Sequence, residues 1–231
     1  MHIPDGFIDP PTSLGAGVVA AAGIGLCLRR AGQVLDDRRI PLAGLTAAFV
    51  FAAQMLTFPV AGGTSGHLLG GVLAAVLVGP YLGAACLAVV LLVQALLFAD
   101  GGLTALGLNV LNMALVGTFG GYGAFLLLRA VLARRAAGVV VASGIAAGAG
   151  VVLAALAFGL EYAVGGTGGA PVGTVLASMA GVHLLIGIGE GVITAMAVST
   201  VLAARPDLVW GAPRPARNDM GRVPVVGEAA A

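Results

Sequence analysis

The sequence predicts an all-α integral membrane protein with about seven transmembrane helices, its N-terminus outside and its C-terminus cytoplasmic. Three observations carry that expectation. Only 9% of the 231 residues are charged and 59% are hydrophobic, with a mean hydropathy of +1.07, whereas a soluble domain carries about 25% charged residues. Apolar runs of membrane-crossing length recur along the chain, separated by short polar or Gly-rich stretches. The arginines, finally, follow only the odd-numbered runs, which puts them all on one face of the bilayer, the cytoplasmic one.

The leader, residues 1–11, contains Pro4, Pro10 and Pro11, which keep it from simply extending the first helix. The first span covers 12–28 and ends at Arg29 and Arg30. Asp5 and Asp9 precede it and no arginine does, the opposite of a secretory signal, so it is read as a retained span. A linker with Asp36, Asp37, Arg38 and Arg39 leads to a second span over 41–58, closed by Pro59. After the Gly-rich loop 60–66, His67 opens a third run over 67–78. That run is short for a span and reads as a broken helix or one buried in the bundle. The fourth span, 81–99, stops at Asp100-Gly101-Gly102, and the fifth, 105–128, runs into Arg129, Arg134 and Arg135. The sixth, 138–160, leads to Glu161 and a Gly-rich loop, and the seventh, 175–204, ends before Arg205-Pro206. With 38 glycines, the helices are suited to close approach. The Pro-rich, charged tail 206–231 is expected to be disordered. Three regions result: a leader (1–11), a helical bundle (12–205) and a cytoplasmic tail (206–231).

Composition also excludes functions. All 11 basic residues are Arg, and a phosphate-cradling P-loop needs Lys, so ATP hydrolysis by that route is ruled out in this chain. A net charge of +1 gives no sign of nucleic-acid binding. Cys27 and Cys86 lie in apolar runs and read as packing residues.

One constellation does carry chemistry. Met1 and His2 offer an α-amine, a backbone amide and an imidazole, which can wrap a metal ion in fused five- and six-membered rings. Three nitrogens in a plane leave a corner that a second imidazole could fill, and His67 is the candidate. Such an all-nitrogen tetragonal set suits Ni(II) or Cu(II), or low-spin Co(II), better than Zn(II). The plain alternative is an incidental second-position histidine and a loop histidine with an ordinary hydrogen bond. By the arginine pattern, both parts of the chelate fall on the outer side. Gln94, Asn109, Asn112, His183 and Glu190 lie in or beside apolar spans, where polar groups face the bundle interior. His183 and Glu190 are two turns apart on one face and mark either a site or a structural hydrogen-bond network. Asn109 and Asn112, with Thr64, Ser65 and Asp100, are candidates to orient the ligands from behind.

The leader Met1-His2-Ile3-Pro4-Asp5-Gly6-Phe7 resembles the N-terminus of the cobalt/nickel substrate-binding subunit (S-component) of energy-coupling factor transporters. The stretches 58–70, 94–102 and 183–190 resemble the same family, and the matches span residues 1 to about 204. The resemblance implies that the leader folds back into the bundle. Metal would be held by the Met1 amine, the His2 amide and imidazole, and His67. It implies a capture subunit for Co(II) or Ni(II) in a bacterial or archaeal plasma membrane. A transmembrane coupling subunit and two ATPase subunits would power uptake, with a small accessory membrane subunit as a further partner. Two rivals come from other classes: a proton-coupled secondary metal carrier using His183 and Glu190, and a membrane scaffold that binds no metal.

Overall fold

A computed structural model describes residues 1–37, 39–60, 64–132 and 135–212. Helix α1 (Pro10–Gly32) begins where Asp9 caps it, the carboxylate accepting from Thr12 N at 2.9 Å, with Pro10 and Pro11 in the first turn. This is where a missing N–H costs nothing. Arg29 and Arg30 occupy its last turn, where cations suit the helix dipole.

The second and third runs part from expectation. Helix α2 (Arg39–Gln54) stops four residues early, and His67 does not open a helix. Between them lies an antiparallel hairpin of β1 (Thr57–Val60) and β2 (Thr64–His67), pairing Thr57 with His67 and Val60 with Thr64. The bundle is therefore not purely helical. Thr57–Val60 and Thr64–His67 pair their backbones with one another rather than continue the helices. Helix α3 (Gly71–Val78) follows, only eight residues long and buried at every position. It is the interior helix that its short apolar run allowed.

Gly79, at φ 95°, reverses the chain into α4 (Pro80–Leu97). A side chain would not tolerate that backbone angle. Helix α5 (Leu106–Leu132) contains an i→i+5 stretch over Val110–Gly120. Helices α6 (Ala136–Gly165) and α7 (Val172–Ala204) are the longest, about 45 and 50 Å at 1.5 Å per residue. They touch backbone to backbone: a Cβ on Gly144 would stand 2.8 Å from Gly191 O, and one on Gly148 3.0 Å from Gly187 O. Small residues inside and large apolar ones outside, such as Leu127, Val131 and Leu185, are the arrangement a lipid solvent favours. Helices α1, α4, α5, α6 and α7 are long and apolar enough to cross a membrane; α2 is shorter.

Residues 206–212, the first part of the stretch expected to be disordered, are structured. Pro206–Leu208 form a 3₁₀ turn, Val209 is buried, and Trp210 and Gly211 bond to the end of α3. Residues 213–231 lie outside the described residues, with Arg214, Arg217 and Arg222 among them, as do Arg38, Gly62, Gly63 and Arg134. The donor groups of the leader, His67 and Asp100 gather at one end of the bundle, while Arg39 and Arg129 meet the Trp210 segment at the other.

Candidate metal centre

The leader is drawn into the bundle by its backbone. Met1, His2 and Ile3 are all buried. Ile3 N donates to Asn109 Oδ1 at 2.8 Å, and Ile3 O accepts from Asn109 Nδ2 at 3.3 Å and from Gly102 N at 2.9 Å. Gly6 turns the chain at φ 74°, and the Asp5 carboxylate accepts from Thr104 N at 2.7 Å and Thr104 Oγ1 at 2.5 Å. Further along, Thr167 N donates to Phe7 O at 3.1 Å and Asp9 N to Gly165 O at 2.7 Å. Phe7 packs on Phe158 and Tyr162 with ring centroids 5.8 and 5.2 Å away. The loop before α5 and the loop after α6 thus hold the leader between them.

This clamp brings His2 to the loop histidine. The His2 and His67 rings stack, centroids 4.6 Å apart and 27° between planes. His2 Nε2 lies 3.4 Å from Asp100 Oδ2. Gly101 (φ 94°) permits this approach, because a Cβ there would stand 3.0 Å from both His2 Nδ1 and Asn109 Nδ2. His67 Nδ1 donates to Leu68 O at 2.7 Å, so its Nε2 carries the lone pair, and that nitrogen is buried with no hydrogen-bond partner among the described residues. His183 repeats the pattern: Nδ1 donates to Met179 O at 2.8 Å and Nε2 has no hydrogen-bond partner among the described residues. It lies within electrostatic reach of both the amine and His67. An imidazole whose tautomer is set by a backbone carbonyl and whose other nitrogen is open is prepared as a ligand.

Burial favours the uncharged forms of the Met1 amine and the two imidazoles. It lowers the Met1 amine from 8.0 to about 4, with Asp100 opposing. His2 falls from 6.5 to about 3, by burial and then by the neighbouring amine. His67 is held well below its usual value, again chiefly by burial, then by the amine and His2. Asp100 is raised by burial and drawn back by the amine. The His2–Asp100 contact is accordingly one between a neutral imidazole and a carboxylate, not a salt bridge. Near neutral pH the amine and both imidazoles present lone pairs rather than protons.

The remaining candidates divide. Asn109 meets the leader. Asn112, expected to share its role, instead donates to Glu161 Oε2 at 2.6 Å. Glu190 accepts from Leu69 N and, at 2.7 Å, from Gly70 N, and makes no hydrogen bond to His183 among the described residues. Gln94 is fully buried, its amide atoms without hydrogen-bond partners among the described residues. Thr64 and Ser65 stand in β2, and their side chains lie outside the described set. Sequence reasoning missed Gln54, whose Nε2 donates to Leu69 O at 2.7 Å, and Thr104, Thr167 and Glu161. Among the described residues no three His, Cys, Asp or Glu side chains form a metal-holding group. The groups that come together are the buried Met1, His2 and His67.

The chain is similar to known proteins over most of its length. A Haloquadratum walsbyi protein named for metal transport is 43% identical over 210 residues, covering 91% of this chain and 94% of that one. The fused nickel transport protein NikMN of Rhodobacter capsulatus is 36% identical over 229 residues, covering 93% of this chain and 65% of its own length. A crystal structure of a transition metal transporter superposes with a TM-score of 0.83 at 30% identity, over 88% of this chain and 93% of that one. The model of the CbiM family, described as the cobalt uptake substrate-specific transmembrane region, matches residues 2–208. The chain is a multi-pass membrane component of cobalt and nickel uptake and belongs to that family.

Proposed function

We propose that this chain captures Co(II) or Ni(II) at the outer face of the membrane and presents the ion for ATP-driven uptake by partner chains. One observation carries the reading. Met1, His2 and His67 are buried together, the two imidazoles stacked with centroids 4.6 Å apart and the amine within electrostatic reach of both, and burial favours their uncharged forms. The donors would be the amine, the His2 amide after loss of its proton, the His2 imidazole and His67 Nε2. Four nitrogens of this kind favour late first-row divalent ions over Mg(II) or Ca(II). The nickel and cobalt names of the relatives support the same two cargo ions.

The seven helices would all be counted as crossing or filling the bilayer, with the leader outside. Arg29, Arg30 and Arg129 in the last turns of α1 and α5, and Arg205 just after α7, lie at the ends of helices that run away from the leader's end, which supports that orientation by the positive-inside rule. Because the chain has no Lys and hence no P-loop, ATP hydrolysis falls to two partner ATPase subunits, joined through a transmembrane coupling subunit. A proton-coupled carrier using His183 and Glu190 has less support. Glu190 is engaged by two backbone N–H groups and His183 by Met179 O.

Equilibrium dialysis of the full chain, with a free Met1 amine verified by mass spectrometry, tests the reading. About one Ni(II) or Co(II) should bind per chain, and His67→Ala should weaken binding at least about tenfold, since even an outer partner of a ligand is worth that much. A wild-type chain that retains neither ion would refute metal capture. For orientation, a single Cys at Gly168, in a background lacking Cys27 and Cys86, should react with an impermeant reagent from outside intact cells. One at Asp37 should not. Reversed labelling would invert the topology.

A further inference from the structure

We infer that the buried helix α3 is a strut that carries the state of the metal loop to the opposite end of the bundle, where the Trp210 segment registers it. The inference rests on the metal reading above. His67 is joined to α3 by only three residues, and these are gripped from two sides. Leu69 N and Gly70 N donate to the two oxygens of Glu190 on α7, and Leu69 O accepts from Gln54 at the end of α2. Gly70 (φ 78°) is pressed against Val50, whose Cγ2 would stand 2.7 Å from a Cβ there. A displacement of His67 toward an ion must therefore move Leu69 and Gly70 against α7 and α2. This also accounts for Glu190. A carboxylate inside a membrane protein without a cation is costly, and the N–H groups at the head of a helix are what it holds instead.

The strut itself has no slack. All eight residues of α3 are buried. A Cβ on Gly83 of α4 would stand 2.8 Å from Ala75 N, and one on Gly71 would stand 2.7 Å from Thr118 Oγ1. A rod packed this closely shifts as a unit over its length of about 12 Å. At its far end two carbonyls that a helix terminus leaves open are taken by the chain after α7. Trp210 N donates to Leu77 O at 3.1 Å and Gly211 N to Val76 O at 2.9 Å. Arg129 Nη1 donates to Gly211 O at 3.2 Å, and the Arg39 guanidinium lies 4.7 Å over the Trp210 ring. The starts of α2 and the tail and the ends of α3 and α5 all meet there.

Trp210 is the sole tryptophan, so the far end carries its own reporter. The full chain in nanodiscs is titrated with Ni(II) or Co(II) alone, binding is followed by calorimetry, and acrylamide quenching of Trp210 is measured at each occupancy. Accessibility rather than brightness is the readout, because either ion can dim a fluorophore directly. The expected result is a change of about twofold or more in the quenching constant at saturation, absent in His67→Ala. Linkage is reciprocal, so Arg129→Gln or Arg39→Ala, both remote from the ion, should shift metal affinity about fivefold. Full occupancy with unchanged Trp210 accessibility, and unchanged affinity in both arginine variants, would overturn the strut while leaving metal capture intact. A wild-type chain that binds no metal would overturn both.

Discussion

Asn109→Ala isolates the docking of the leader. Asn109 is buried and bonds Ile3 in both directions, accepting from its N–H at 2.8 Å and donating to its carbonyl at 3.3 Å. The two losses are unequal. Ile3 O keeps Gly102 N at 2.9 Å, whereas Ile3 N–H has no other hydrogen bond among the described residues. Losing a bond whose acceptor stays satisfied costs about 1 kcal/mol, and a buried orphan N–H costs about 1–3 kcal/mol. Leader docking should therefore weaken by about 2–4 kcal/mol, roughly 30- to 700-fold in its equilibrium constant. Metal affinity falls by that factor only once the docked form ceases to dominate, because an undocked fraction dilutes the competent state. Asn109→Asp keeps an acceptor for Ile3 N–H but turns a buried oxygen against Ile3 O, so it should not restore docking to the wild-type level. Hydrogen exchange at the Ile3 amide reads docking directly, and calorimetry with Ni(II) reads its consequence. If Asn109→Ala matches wild type in both, the leader is not held by Asn109 and the site needs another clamp.

Three further expectations follow from the same geometry. Gly101→Ala places a methyl 3.0 Å from His2 Nδ1 on a backbone at φ 94°; it should lower Ni(II) affinity at least about tenfold, with about 1–3 kcal/mol of strain. Gly181→Ala, where nothing lies within 4 Å, should leave binding unchanged, and equal affinities in the two variants would remove Gly101 from the site. Acid should release the leader. The amine has a docked value of about 4 against 8.0 free, and His2 about 3 against 6.5. The undocked leader thus binds more protons, and docking weakens as pH falls, by about 1.4 kcal/mol per unit below about 8 for the amine and as much again below about 6.5 for His2. Ile3 exchange that is flat from pH 8 to 5 after correction for the intrinsic rate would contradict this. Inserting Ala between Met1 and His2 supplies two amides, an amine and an imidazole, four planar nitrogens without His67. Ni(II) should still bind while whole-cell uptake collapses; normal uptake would show that the bridge to His67 is not required.

Much of this protein is legible one residue at a time. Composition alone places it in a membrane, since a chain with 9% charged residues has no other solvent to match. The apolar runs mark the helices to within a few residues, because length and hydrophobicity decide which segments can satisfy their backbone in lipid. The chelating potential of Met1 and His2 is also local, being a matter of ring sizes along one short stretch of chain. The rest depends on distant neighbours. Asn109 and Asn112 look alike in sequence, yet one meets Ile3, 106 residues away, and the other meets Glu161. Glu190 reads equally as part of a site or of a hydrogen-bond network, and its partners become known only when Leu69 and Gly70, some 120 residues earlier, are seen at its oxygens. The hairpin at 57–67 and the Trp210 clasp escape a hydropathy reading for the same reason. Both are made of backbone bonds between segments, and backbone groups are the same in every residue. Sequence therefore determined which groups are available and how deeply they sit. Only the tertiary structure decided which of them face one another, because partner choice for a buried polar group is set by packing rather than by its identity.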